Sequence, residues 1–392
     1  MRILSVLVGA LSVAGLISAA PGGGPGGPRN PPSSQELEDL ALKEVNVLQK
    51  QYQKKIIDHI KPRKTGCTQK NILRRKEWHA LSIPERLSYI AAVHCLHRKP
   101  AVTNRTLIPG VRSRYDDLVG IHLFQTDFVH SSGLFLPFHR YYVHLYEKAL
   151  REECGYRGAQ PYWDWTLWYD DPRRAPLFNG SPWSMGSNGK YIPDRNDTLI
   201  DIVPGFPPFL VAPATGGGCI ERGPFTEQLW KAHIGPVGIR PQGPQGGLEY
   251  NPRCLKRDLS PIWSQDTRPT NASKLLNCPD LACVNEVFDA PQGIHGSGHF
   301  QIGGEELDVY VSPNDPIFWL HHAQVDRLWS IWQGLDIQNR TNQVWGTVTT
   351  FNVPPSDPAT LDSPVPFGPL LPSKPIRDLV STVDGDMCYM YE

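Results

Sequence analysis

Apolar residues return at helical spacing in six stretches of this chain, and the interruptions between them shape the expected architecture. The first, from Ser34 to about His59, reads ELEDLALKEVNVLQKQYQKKIIDHI and carries enough charge to predict a surface helix. Ser82-Ile83-Pro84-Glu85 announces the second: Ser82 can cap, Glu85 sits three residues on, and proline fits the first turn. It runs as RLSYIAAVHCLHR until Pro100. Residues 116–130 and 137–154 follow with the same spacing, the latter closed by Gly155 at a C-cap position. The period then lapses. Residues 171–282 are rich in Pro, Gly and Asn and predict a long, mostly irregular insertion laid over a helical core. Helical spacing resumes over 281–299 and most strongly over 315–333, before a Pro-rich segment at 353–392. There is no internal repeat.

Composition agrees with so much irregular chain. The 38 prolines among 392 residues are about twice average usage, which long helices throughout would not tolerate. Length alone allows two or three domains, but one helical core with a single long interruption is better read as one domain over 34–392. Lys+Arg and Asp+Glu balance at 39 each, which argues against a nucleic-acid or anionic-membrane partner. The N-terminus carries a short basic start, an apolar run from Ile3 to Ile17 and the small residues Ser18-Ala19-Ala20, so residues 1–20 read as a signal peptide. The apolar run is too short to span a membrane. A flexible Pro/Gly-rich tail at 21–33 follows. The mature protein is thus expected to be secreted, extracellular and soluble, with N-glycans at some of Asn104, Asn179, Asn196, Asn271 and Asn339. Eight cysteines in an oxidising compartment should form disulfides, although eight allow 105 pairings. Cys278 and Cys283 are placed to close a small loop, and Cys388 to tie down the C-terminus.

Candidate chemistry lies in the histidines. His122, His130 and His139 are spaced eight and nine residues apart, and His295, His299 and His322 lie far downstream. An i, i+4 pair such as His295 and His299 puts two imidazoles on one helix face. His139 shares its face with Tyr142, Val143, Tyr146 and Leu150, and His322 with Phe318, Val325, Asp326 and Trp329. Both therefore point inward, where metal coordination would satisfy them. A lone histidine on an apolar face is more often a hydrogen-bonded core residue. That bland reading applies to His94 and His97, which flank a cysteine suited to a disulfide. His144 lies about 140° round the helix from His139 and should not join it. Of the doublet His321-His322, the second is preferred, because the face of His321, with Ile317, Gln324 and Leu328, looks shallower. His59, His79 and His233 receive no role.

These segments resemble the two copper-binding regions of the type-3 copper proteins, the tyrosinase, catechol oxidase and haemocyanin superfamily. The resemblance rests on Phe138-His139-Arg140-Tyr141, HGSGH followed by Gly303-Gly304 and DPIFWLHHAQVDRLW, PYWDW at 161–165, and the terminal Tyr389-Met390-Tyr391. It implies a mainly α fold, with a four-helix bundle core holding a dinuclear copper site, long Pro/Gly-rich loops and few short strands. By that pattern one copper takes His122, His130 and His139, and the other His295, His299 and His322. Molecular oxygen and small phenols would be the reaction partners, and the activity that of a secreted catechol oxidase. The short gap from His122 to His130, and the lack of a nearby cysteine to form a thioether, resemble a fungal catechol oxidase subgroup. Gly296 stands where phenol-hydroxylating relatives often carry asparagine, and Glu286 falls at the position of their water-holding glutamate. Phe288, Phe300 and Val309 would complete the substrate pocket, and Arg140 and Asp326 would support the centre or anchor helices. Tyrosinase or o-aminophenol oxidase activity is the nearest alternative. A haemocyanin-like oxygen carrier, with the segment after 353 as a plug, is the alternative from another class. A zinc hydrolase is disfavoured because HGSGH lacks the glutamate of HExxH.

Overall fold

The computed structural model describes residues 33–201, 208–289 and 293–392, so the signal peptide (1–20) and nearly all of the Pro/Gly tail expected at 21–33 lie outside it. Four helices build the first half: α1 (Ser34–Ile60), α2 (Ile83–Arg98), α3 (Arg114–Val129) and α4 (Phe135–Cys154). The first three open on capping boxes: Ser33 with Glu36, Ser82 with Glu85, and Ser113 with Asp116 each exchange two bonds between cap and third position. Gly155 ends α4 in the left-handed region, at φ 68°, where a side chain would be strained.

The second half holds α5 (Pro269–Leu276), α6 (Leu281–Asp289), α7 (Ile294–Phe300) and α8 (Ile317–Leu335). The helical spacing over 281–299 is divided between two helices, α7 starting afresh from an extended Gly293. α5 falls inside the insertion expected to be irregular. Its eight residues are too few to reveal a period, and it forms against the long α1. The rest of the described insertion consists of 3-10 turns, irregular chain and short two-stranded pairings.

α8 is buried on every side from Ile317 to Gly334, its polar residues such as His322, Gln324, Asp326 and Arg327 included. α4 packs on one side of it and α1 on another, with α2 and α3 against α4. This helical core carries all six candidate histidines on α3, the α3–α4 turn, α4, α7 and α8. A short parallel pairing of Leu73–Arg75 with Tyr389–Tyr391 brings the C-terminus back onto it. Four disulfides join Cys67–Cys388, Cys95–Cys154, Cys219–Cys254 and Cys278–Cys283, leaving no free cysteine. No helix among the described residues is long and apolar enough to cross a membrane.

α4 and α8 are clamped by charge. Arg140 Nε donates to Asp326 Oδ1 at 2.6 Å, and the hydroxyls of Tyr389 and Tyr391 donate to Asp326 Oδ2 at 2.6 and 2.7 Å. Burial alone would raise the Asp326 carboxyl, yet Arg140, Arg75 and the two hydroxyls hold it below its ordinary range. Breaking such a pair leaves an uncompensated charge in the core. Asp326→Ala is expected to cost about 3–5 kcal/mol, measured by urea unfolding; a loss under about 1 kcal/mol would show the clamp to be dispensable.

Candidate metal centre

A continuous helix could not bring His122 and His130 together, because eight residues advance about 12 Å along the axis. α3 instead stops at Val129, and His130 takes an extended conformation, φ −80° and ψ 150°. The chain then turns through Ser131, at φ 46°, into α4. The rings of His122, His130 and His139 consequently converge, with centroids 5.1 to 5.6 Å apart. In α7 the i, i+4 pair behaves as its spacing predicts, and the ring centroids of His295 and His299 lie 4.9 Å apart. α8 supplies His322. Its ring stacks on that of His139 at 4.2 Å and 11°, so the two groups of three adjoin.

Hydrogen bonding fixes which nitrogen four of the rings leave bare. The Nδ1 atoms of His122, His130 and His139 lie 3.0, 3.0 and 2.9 Å from the carbonyl oxygens of Tyr310, Thr126 and Phe135. A carbonyl can only accept, so these nitrogens carry the protons and each Nε2 is a lone pair. Yet His139 Nε2 and His122 Nε2 face each other at 3.4 Å. In the second group His299 Nε2 lies 3.2 Å from both His295 Nε2 and His322 Nε2, while its Nδ1 meets Glu306 Oε2 at 2.6 Å. Burial pushes His122, His139, His299 and His322 well below the usual histidine range and His130 down to about 4. Protons therefore do not relieve the opposed lone pairs, and two cations would. Neutral imidazoles are donors suited to copper, and the two buried groups fit a dinuclear centre.

His321 is also buried, close to His295, His299 and His322. Its Nδ1, however, accepts the Trp165 indole N–H at 3.2 Å, which assigns its proton to Nε2 and removes a lone pair from that side. Gly298 makes room for it, since a Cβ there would sit 2.0 Å from the His321 ring. Phe318 contacts rings of both groups, 5.2 Å from His122 and 4.2 Å from His322. Phe138 and Phe135 flank His139. Trp319 stacks instead on Tyr146, one layer behind.

His130, His295 and His299 are 7, 8 and 8% exposed against 1, 1 and 0% for His122, His139 and His322, which places the mouth of the site on the former side. Gly296 lies there with open space around it: a Cβ would meet only Phe300, at 3.8 Å. Phe300 turns to Trp263 and Phe209 of the insertion. Val309 is half-buried, and its carbonyl accepts the Thr126 hydroxyl at 3.4 Å. Phe288 is fully buried. Glu286, by contrast, is exposed on α6; the carboxylate that this helix brings near the centre is Asp289, 3.6 Å from His295 Nδ1. Asp289 sits one helical turn from Glu286, a displacement that residue spacing alone could not reveal. Glu306 and Tyr310 were likewise not legible, being brought in by a turn outside the histidine helices.

The remaining histidines have other partners. His94 and His97 stack on Phe225 and Trp230 beside the Cys95–Cys154 bridge. His144 borders a surface cleft with Glu147 and Asp386. The C-terminal segment sends Phe367 to stack on Phe138 at 5.3 Å, behind the first group of histidines.

Residues 112–335 match the common central domain of tyrosinase. The tyrosinase-like protein orsC of Emericella nidulans is 44% identical over 306 residues, which cover 74% of this chain and 82% of that protein. Tyrosinase P of Aspergillus terreus is 38% identical, covering 81% of this chain and 91% of its own. N-acetyl-6-hydroxytryptophan oxidase ivoB of Emericella nidulans is also 38% identical, with 83 and 94% covered. A mutant polyphenol oxidase from Thermothelomyces thermophila shares the fold with a TM-score of 0.83 and 39% identity, over 89% of this chain and 98% of that one.

Two outcomes are expected. After copper loading and dialysis, metal analysis should find that His322→Ala loses an ion that His321→Asn keeps; the reverse would reassign the doublet. Without metal, the protein should be most stable above about pH 6.5, where folded and unfolded imidazoles are both neutral. Its melting temperature should fall as pH drops towards about 4, the value of His130, because only the unfolded chain then takes up those protons.

Proposed function

The chain belongs to the tyrosinase family of dicopper oxidases, and on that premise we propose that it converts o-diphenols to o-quinones. Two diphenols and one O2 give two quinones and two waters. His122, His130 and His139 hold one copper in this reading, and His295, His299 and His322 the other. The bound pair supplies a two-electron acceptor that oxygen regenerates.

The protein's own groups do the rest. The peptide carbonyls of Tyr310, Thr126 and Phe135, with the Glu306 carboxyl, fix four rings with their bare nitrogens turned inward. Phe135, Phe138 and Phe318 keep water from the inner side. A phenol ring enters by the more exposed edge, between Gly296, Phe300 and Val309.

The observation that favours diphenols is Gly296. No side-chain amide stands beside His295 to orient a water, and Glu286 points to solvent rather than into the centre. A monophenol must lose its proton before it can bind as a phenolate, and here it lacks a placed base. A catechol is more acidic and needs that help less. Export from the cell is part of the proposal, supported by four disulfides and by sequons exposed at Asn104, Asn179, Asn196 and Asn339. Asn271 is half-buried and its amide donates to the Asp266 carbonyl at 2.8 Å, which makes it the poorest acceptor.

The copper-loaded protein should consume oxygen with catechol without a lag, and with a monophenol of similar size at least about a hundredfold more slowly. Gly296→Asn should narrow that gap. Equal wild-type rates would overturn the assignment, and uptake with neither substrate would favour an oxygen carrier.

A further inference from the structure

The two groups of histidines are not backed alike. In the first, every Nδ1 donates to a peptide carbonyl, a neutral acceptor. In the second, His299 Nδ1 meets the Glu306 carboxyl at 2.6 Å and His295 Nδ1 lies 3.6 Å from Asp289. Glu306 is wholly buried, and among the described residues no lysine or arginine forms an ion pair with it. Its neighbours are already matched, Glu305 to Arg253 and Asp315 to Arg257, each through two bonds. Glu306 Oε1 makes no hydrogen bond at all. Burial pushes the Glu306 carboxyl well above its usual range, and a cation held by His299 would be the charge that ionises it.

The turn that presents Glu306 is tightly built. Gly303 and Gly304 both take positive φ, +67° and +60°, and a Cβ on Gly304 would sit 1.9 Å from the Lys256 carbonyl. Only glycine allows the backbone so close, so the turn is held against residues 256–258 and Glu306 is aimed at His299 by main-chain geometry.

Resting on the dicopper reading, we propose that Glu306 is a positioning residue that makes the two metal positions unequal, so that the second triad binds copper(II) more tightly than the first. An imidazole that donates to a carboxylate is a more basic ligand than one that donates to an amide carbonyl. Behind the first triad all three Nδ1 partners are neutral peptide carbonyls.

The test separates the triads. Copper(II) affinity is measured by competition with a chelator in His139→Ala, where the second triad is intact, and in His322→Ala, where the first is. His139→Ala should bind its one ion about 10–100-fold more tightly. Adding Glu306→Gln should remove that advantage in the His139→Ala background and change nothing in His322→Ala. Equal affinities, or a Glu306→Gln effect of the same size in both, would overturn the proposal. Glu306→Gln in the otherwise native chain provides an arm that needs no ligand deletion: one of its two ions should leave to chelator earlier than in the wild type, and unchanged release of both would count against Glu306. Binding of fewer than two coppers by the wild-type chain would instead overturn the dicopper reading.

Discussion

Opposed lone pairs set the terms for this protein. Peptide carbonyls hold the protons of three imidazoles on their outer nitrogens, and the inner nitrogens of His122 and His139 face each other at 3.4 Å. Burial keeps the rings from charging, so the repulsion is relieved by metal rather than by proton. Much of the architecture can be understood as the means of holding that arrangement closed: a helix that stops at Val129, a short helix bearing an i, i+4 pair, and a central helix buried on all sides.

Holding it closed requires α4 and α8 to keep their register, because His139 and His322 stack across their interface. The Arg140–Asp326 pair lies on those same helices, one residue after His139 and four after His322. Tyr389 and Tyr391 complete the coordination of Asp326 from the far end of the chain. The C-terminal residues thus act on the centre without touching it. Phe367 does the same from another direction, through Phe138.

The helices were legible where local signals agreed: the capping boxes at Ser82 and the apolar run of α8 need no tertiary information. The spacing over 281–299 could not show where one helix ends and the next begins, because both share a helical period, and α5 was missed because it is short. The histidines stood out through spacing and family resemblance together. The pocket was less legible, since a residue's height above a metal depends on how α6 is rotated; that is why Glu286 faces solvent and Asp289 the site. Glu306 carried no signal at all. Its role depends on a contact between a glycine turn and residues 256–258, which sequence separation conceals.

The Cys67–Cys388 bridge spans 321 positions and makes the enclosed polypeptide a covalent ring. His122, His130 and His139 lie on one arc of that ring and His295, His299 and His322 on another, with the loop-rich insertion between. A single peptide bond cut within that insertion opens the ring but does not divide it. Both arcs stay joined through the two sulfurs, and each keeps its own three imidazoles. One cut in the loops therefore does not separate the two arcs in this protein; their separation also requires the Cys67–Cys388 bridge to be reduced.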